Sequence, residues 1–124
     1  GLRVRVVPTT DQACRQHFEV LQGLSPMEWL GYIEEASVVC TDSFHAMAFS
    51  AILQTPFEVF RRDSEDDPAS RNSRVDQLLR ALQLDCDSEE IPWERVTARL
   101  TEMRVRGRDY LKRVLGKADE IPHA

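Results

Sequence analysis

No apolar run in these 124 residues approaches the roughly 18 that a membrane-crossing helix requires, so no membrane span is expected. Cysteine is scarce as well. Cys14, Cys40 and Cys86 are an odd set of three with no C-x-x-C pair, which excludes a disulfide framework and a cysteine-held zinc site. They read as reduced thiols of a cytosolic protein, with Cys40, inside an apolar run, expected to be a buried small hydrophobe. His17, His45 and His123 likewise lack metal-ligand spacing. The chain opens without a signal-peptide pattern, because two arginines interrupt residues 2–7 and no small-residue cleavage site follows. A basic surplus is missing too. Sixteen Lys/Arg against 21 Asp/Glu leave a net charge of −5, which argues against nucleic acid or an anionic membrane as partner.

What is present suits one compact domain: 42% hydrophobic residues over this length allow a modest core. Charge is unevenly spread. Residues 93–117 hold eight Lys/Arg and three Asp/Glu, a surplus of +5, so the remainder carries −10. That basic stretch is either a solvated helix face or a docking surface for an acidic partner domain.

Strand and helix signals alternate along the chain. Residues 2–8 (LRVRVVP) form a β-branched run ended by proline, and residues 18–21 (FEVL) a second short strand. Ser25, Pro26 and Glu28 then supply an N-cap hydroxyl, a first-turn proline and the reaching carboxylate of a capping box. Leu24 and Trp29 can close over it as a hydrophobic staple. Trp29, Leu30 and Ile33 share one face of the helix, which should stop near Ala36. Residues 37–40 (SVVC) read as a central parallel strand covered on both faces. Thr41, Asp42 and Ser43 lead into a helix that is apolar nearly all round, and so expected to be buried. Residues 57–60 (FEVF) form the next strand, and the charged residues 61–72 a mobile loop. Val75, Leu78, Leu79 and Leu82 make the stripe of a helix that Ser73 caps. After an acidic loop at residues 85–90, a long helix spans residues 92–116. Its Trp93, Val96, Leu100, Met103, Gly107, Tyr110 and Val114 follow steps of three and four, a seam rather than a broad face. The pattern predicts an α/β fold with a Rossmann-like parallel sheet of about four strands flanked by helices.

In open α/β sheets, ligands gather beyond the carboxyl ends of the strands. Two segments fall there. One is residues 41–45, between strand SVVC and its helix; the other is Arg61 and Arg62, directly after strand FEVF. They become neighbours if those strands pair. The helix start also offers backbone N–H groups to an anion such as phosphate or carboxylate. His45, in the first turn, is an imidazole placed to exchange protons near neutral pH. The bland alternative is a core histidine bonded to a backbone carbonyl. A triad of Ser43, His45 and Asp42 is excluded, because residues so close in sequence cannot reach the required geometry.

Residues 25–60, SPMEWLGYIEEASVVCTDSFHAMAFSAILQTPFEVF, closely resemble the hallmark stretch of the polysaccharide pyruvyl transferase family. That pattern runs S-P-x-E-[FW]-L-x-x-I, then A-x-x-V-x-T-D-S-F-H, a small residue, F-S and P-F-x-V-F. The resemblance continues through residues 72–84 and the tryptophan-led helix. It implies the carboxy-terminal, donor-side half of a GT-B-like enzyme, with residues 1–124 a single partial domain that begins within it. The implied reaction moves the enolpyruvyl group of phosphoenolpyruvate onto sugar hydroxyls as a pyruvate ketal, in cytoplasmic synthesis of exopolysaccharide. Phosphoenolpyruvate is then a donor substrate, and no further cofactor is implied. His45 takes the place of the family's donor-contacting histidine, proposed to act in proton transfer. Ser43 and Phe44 stand where some branches carry arginine and leucine. The donor cation must then come from elsewhere, with Arg61 and Arg62 the candidates, against the alternative of a solvated loop pair. Ser43 is expected both to cap the helix and to offer its hydroxyl to the donor. Ala46 replaces the usual glycine.

Two other functions compete: a nucleotide-sugar glycosyltransferase of GT-B type, and a non-catalytic interaction domain derived from the enzyme. The partial domain alone is expected to be inactive. A missing amino-terminal half-domain or a second copy is expected along the long helix, unless that helix folds back near Gly107.

Overall fold

The computed structural model describes residues 1–7, 16–60, 72–85 and 90–116. The chain divides into two compact units, residues 1–32 and 33–124.

In the first unit, β1 (Arg5–Val6) pairs in parallel with β2 (Glu19–Val20), Arg5 opposite Glu19 and Val6 opposite Val20. The Arg5 guanidinium meets the Glu19 carboxylate at 3.3 Å and lies 5.2 Å from the centre of the Tyr32 ring. Helix α1 (Pro26–Glu35) starts in this unit on the expected box. The Ser25 N–H donates to the Glu28 carboxylate at 2.8 Å, and the Glu28 N–H to the Ser25 hydroxyl at 3.3 Å. Two helix-start donors are satisfied reciprocally. The Ser25 backbone N–H most strongly, and the Ser25 side chain after it, hold the Glu28 carboxyl below its ordinary pKa. Leu24 and Trp29 line one shallow recess with Val7, Gly23, Ser25 and Pro26, as a staple requires. No described residue of this unit is fully buried.

The second unit holds the core. Strand β3 (Val39–Thr41), helix α2 (Phe44–Leu53) and strand β4 (Phe57–Val59) form a parallel βαβ unit, with Val39 opposite Phe57 and Thr41 opposite Val59. Helix α3 (Asn72–Leu82) contributes Val75, Leu78, Leu79 and Leu82, all buried, the stripe its spacing predicts. They pack with Met47 and Ala51 of α2 and with Val96 of α4 (Trp93–Leu115). Burial of such side chains contributes about 1.5–3 kcal/mol each for the larger ones. Polar contacts fix the helices against one another. The Arg99 side chain donates to the Ala81 carbonyl at 2.9 Å, near the end of α3, and the Gln54 amide to the Thr97 hydroxyl at 3.0 Å.

Several expectations are corrected. Among the described residues the strands form two parallel pairs, not one sheet of about four strands. Strand β3 is not covered on both faces. Its residues alternate half-buried, exposed, half-buried, because α2 packs on one side; Cys40, opposite Glu58, therefore faces outward and is exposed, not buried. Helix α2 is buried along one face, through Ala46, Met47, Ser50 and Ala51, whereas Ile52 is 53% exposed. Helix α4 runs unbroken through Gly107 to a left-handed cap at Gly116, so the chain does not fold back at Gly107.

Candidate functional site

The loop between β3 and α2 begins at Thr41, the last residue of a strand whose neighbour ends at Val59. Because the pair is parallel, both carboxyl ends lie at one edge. The Phe60 N–H donates to the Thr41 carbonyl at 2.9 Å and extends that edge by one residue. Thr41 also organises the turn from its side chain, accepting the Ser43 N–H on its hydroxyl at 3.0 Å. The chain is thereby turned into α2 within two residues.

Ser43 occupies the N-cap position with extended backbone, φ −92° and ψ 125°. Its carbonyl accepts the Met47 N–H at 3.0 Å, the first intrahelical bond. Its hydroxyl makes no capping bond. The expected capping role is therefore absent, and the half-buried hydroxyl is left for other partners. The N–H groups of Phe44, His45 and Ala46, which precede the first intrahelical donor, are the ones an anion at this end would meet.

His45 is exposed. It does not belong to the buried core. Its ring stands edge-on to that of Phe44, with centroids 5.6 Å apart and planes at 82°. Phe44 is half-buried and packs against the core of the second unit, so it anchors the first turn while its neighbour reaches solvent. The edge thus brings together the Thr41 turn, the Ser43 hydroxyl, the imidazole of His45 and the N–H groups of a ten-residue helix. Arg61 and Arg62, and the loop expected at 61–72 up to residue 71, lie outside the described residues. Phe60, to which Arg61 is joined in sequence, is at the edge.

Sequence reasoning did not single out Thr41 as the turn's organiser, although a threonine two residues before a helix cap is a recognisable signal for such a turn. Among the described residues no group of three or more His, Cys, Asp and Glu side chains is placed to hold a metal ion. None of the described helices is long and apolar enough to cross a membrane.

The family model described as polysaccharide pyruvyl transferase matches residues 7–64. The match takes in β2, α1, the βαβ unit and the whole His45 edge. It ends before α3 and α4, so the resemblance expected over residues 72–84 and along the last helix lies outside it. No curated protein and no solved structure matches the chain. The segment that builds this edge, residues 7–64, is thus similar to the polysaccharide pyruvyl transferase family.

Proposed function

We infer that the chain is the donor-side part of an enzyme that transfers the enolpyruvyl group of phosphoenolpyruvate to a sugar as a pyruvate ketal. The observation that carries this reading is the family match spanning an exposed histidine at a helix start beside two parallel strand ends. The match to the family model over residues 7–64 supports the transferase class. The donor, the acceptor and the residue roles are our reading of the edge.

The reaction has three needs. A sugar hydroxyl oxygen bonds to the central carbon of the enol while a proton is added to its methylene carbon, which becomes a methyl group. A second hydroxyl then displaces phosphate from the same carbon and closes the ketal. One hydroxyl proton balances the new methyl hydrogen, and the other leaves to a base or with phosphate. His45 is assigned the proton added to carbon, as a general acid. The N–H groups at the start of α2 and the Ser43 hydroxyl would hold the donor's anionic groups, with Arg61 and Arg62 as the countercharge. The acceptor and its base would come from a different part of a longer enzyme.

A thermal-shift titration of the 124-residue chain tests the reading. A ligand that binds only the folded state stabilises it by about 2.7 kcal/mol at 100 times its Kd. Phosphoenolpyruvate should raise the melting temperature, and UDP-glucose should not. The reverse result would favour the nucleotide-sugar reading, and no shift with either would favour a non-catalytic domain.

A further inference from the structure

The amino-terminal half of α4 belongs to the core of the second unit, through buried Val96 and half-buried Trp93 and Leu100. Beyond Leu100 the same seam continues into solvent. Met103, Tyr110 and Val114 are 38%, 55% and 58% exposed, and Leu111 beside them is 41% exposed. Taking Leu100, Gly107 and Val114 as heptad position a places Met103 and Tyr110 at d. The seam is therefore narrow and in register with the part already packed.

Charge decides what can cover it. Position g carries Arg99, Arg106 and Arg113, and position e carries Arg104 with Leu111. Glu102 offsets part of this, bridging Arg99 at 2.6 Å and Arg106 at 2.7 Å. Arg113 leans over the ring of Tyr110, 5.7 Å from its centre, and so lies against the seam itself. From Met103 to Leu115 there are five Lys/Arg and one Asp/Glu. In an antiparallel pair of two such helices, g faces g, which sets arginine against arginine in any register. In a parallel pair Arg99 faces Arg104. A second copy is thus disfavoured by the rows that normally select a partner.

A lipid surface fits less well. An interfacial helix presents a broad apolar face, whereas here arginines flank a strip one seam wide and Val105 lies on the opposite side. Gly107 sits mid-seam with nothing within 4 Å of where a Cβ would stand. A glycine there leaves a gap toward lipid but lets another backbone approach closely.

We propose that the exposed half of α4 is the docking site for an acidic amphipathic helix of another polypeptide segment, with apolar a and d positions and Glu or Asp at e and g. The apolar seam supplies the contact, and the arginine rows select the partner's charge and orientation. This proposal is independent of the reaction assigned to the His45 edge.

The test uses the full chain and two designed peptides of about three heptads, leucine at a and d, with either glutamate or lysine at e and g. The glutamate peptide should bind and the lysine peptide should not. The exposed double variant Arg106→Glu, Arg113→Glu should weaken the glutamate peptide at least about tenfold and restore binding of the lysine peptide. Circular dichroism of the variant checks that the helix persists. Equal binding of both peptides, or of neither, would overturn the proposal. So would light scattering that shows a dimer lost in Val114→Asp, which assigns the seam to a second copy. Binding to phosphatidylserine vesicles in preference to the glutamate peptide would overturn it in favour of a membrane surface.

Discussion

The Phe60 N–H donates to the Thr41 carbonyl at 2.9 Å, and this bond ties the end of one strand to the residue from which the loop to His45 departs. The strand pairing therefore sets where the chain leading into Arg61 begins, relative to the first turn of α2. The chemistry proposed for this edge depends on that relationship.

His45→Ala, introduced into an active enzyme that contains this segment, should lower turnover by roughly 10²–10⁴-fold, the range expected for loss of a general acid. Thermal stability should change little, because the ring is exposed. Turnover within a factor of about two of the parent would remove His45 from the mechanism.

The double variant Arg61→Ala, Arg62→Ala should bind phosphoenolpyruvate more weakly by a factor of about ten or more, as loss of a charge-assisted contact to an anion predicts. Isothermal titration calorimetry of parent and variant measures it. Equal affinity would move the countercharge elsewhere on the chain.

Glu28 should titrate below the ordinary glutamate value of about 4.3, because its carboxylate accepts the Ser25 N–H. The direction for stability follows from the depressed pKa. The contribution of the box to α1 is complete above the ordinary value and fades as pH falls through the lower, folded value. Carbon-detected NMR of the Glu28 carboxyl gives the midpoint, which Ser25→Ala should move only part of the way back toward the ordinary value, because the Ser25 N–H remains to donate.

Leu82 has no solvent exposure and closes the α3 face of the core. Leu82→Ala should cost about 2–5 kcal/mol, a large share of the roughly 5–15 kcal/mol typical of a domain. Urea unfolding followed by circular dichroism is the measurement. A loss below about 1 kcal/mol would mean that the site collapses around the smaller side chain.

Gln83 ends α3 with φ 57°, a left-handed conformation in which the Leu84 N–H reaches back to the Leu79 carbonyl at 2.9 Å. Glycine adopts this conformation without Cβ strain, so Gln83→Gly should stabilise the second unit by roughly 0.5–1 kcal/mol. Gln83→Ala should bring no gain. Thermal melts of the pair separate relief of strain from a general effect of shortening the side chain.

Much of the local structure was legible in the residues because it rests on neighbours in sequence. The box of Ser25 and Glu28 needs atoms three residues apart. The stripe from Val75 to Leu82 needs only helical spacing, and all four of its members are buried as predicted. The element order, the end of α1 near Ala36 and the stop of α4 at Gly116 follow from the same short-range signals. The placement of His45 in a first turn after a strand was also local information. Its exposure was not, since that depends on what else packs against the edge.

Cys40 shows where local reading fails. Its run of apolar neighbours suggests burial on both faces, yet whether a strand face is covered is decided by distant elements. Here α2 covers the side of Val39 and Thr41 and leaves Cys40 and Glu58 outward. The division into two parallel pairs arises in the same way, because ladder bonds join residues 14 to 18 positions apart whose pairing no single segment encodes. Helix α4 combines the two cases. Its own residues dictate a continuous helix with a 3-4 seam, through local hydrogen bonds and periodicity. Which half of that seam is buried was decided only by where α2 and α3 end, since their side chains reach Val96 and Leu100 and go no further.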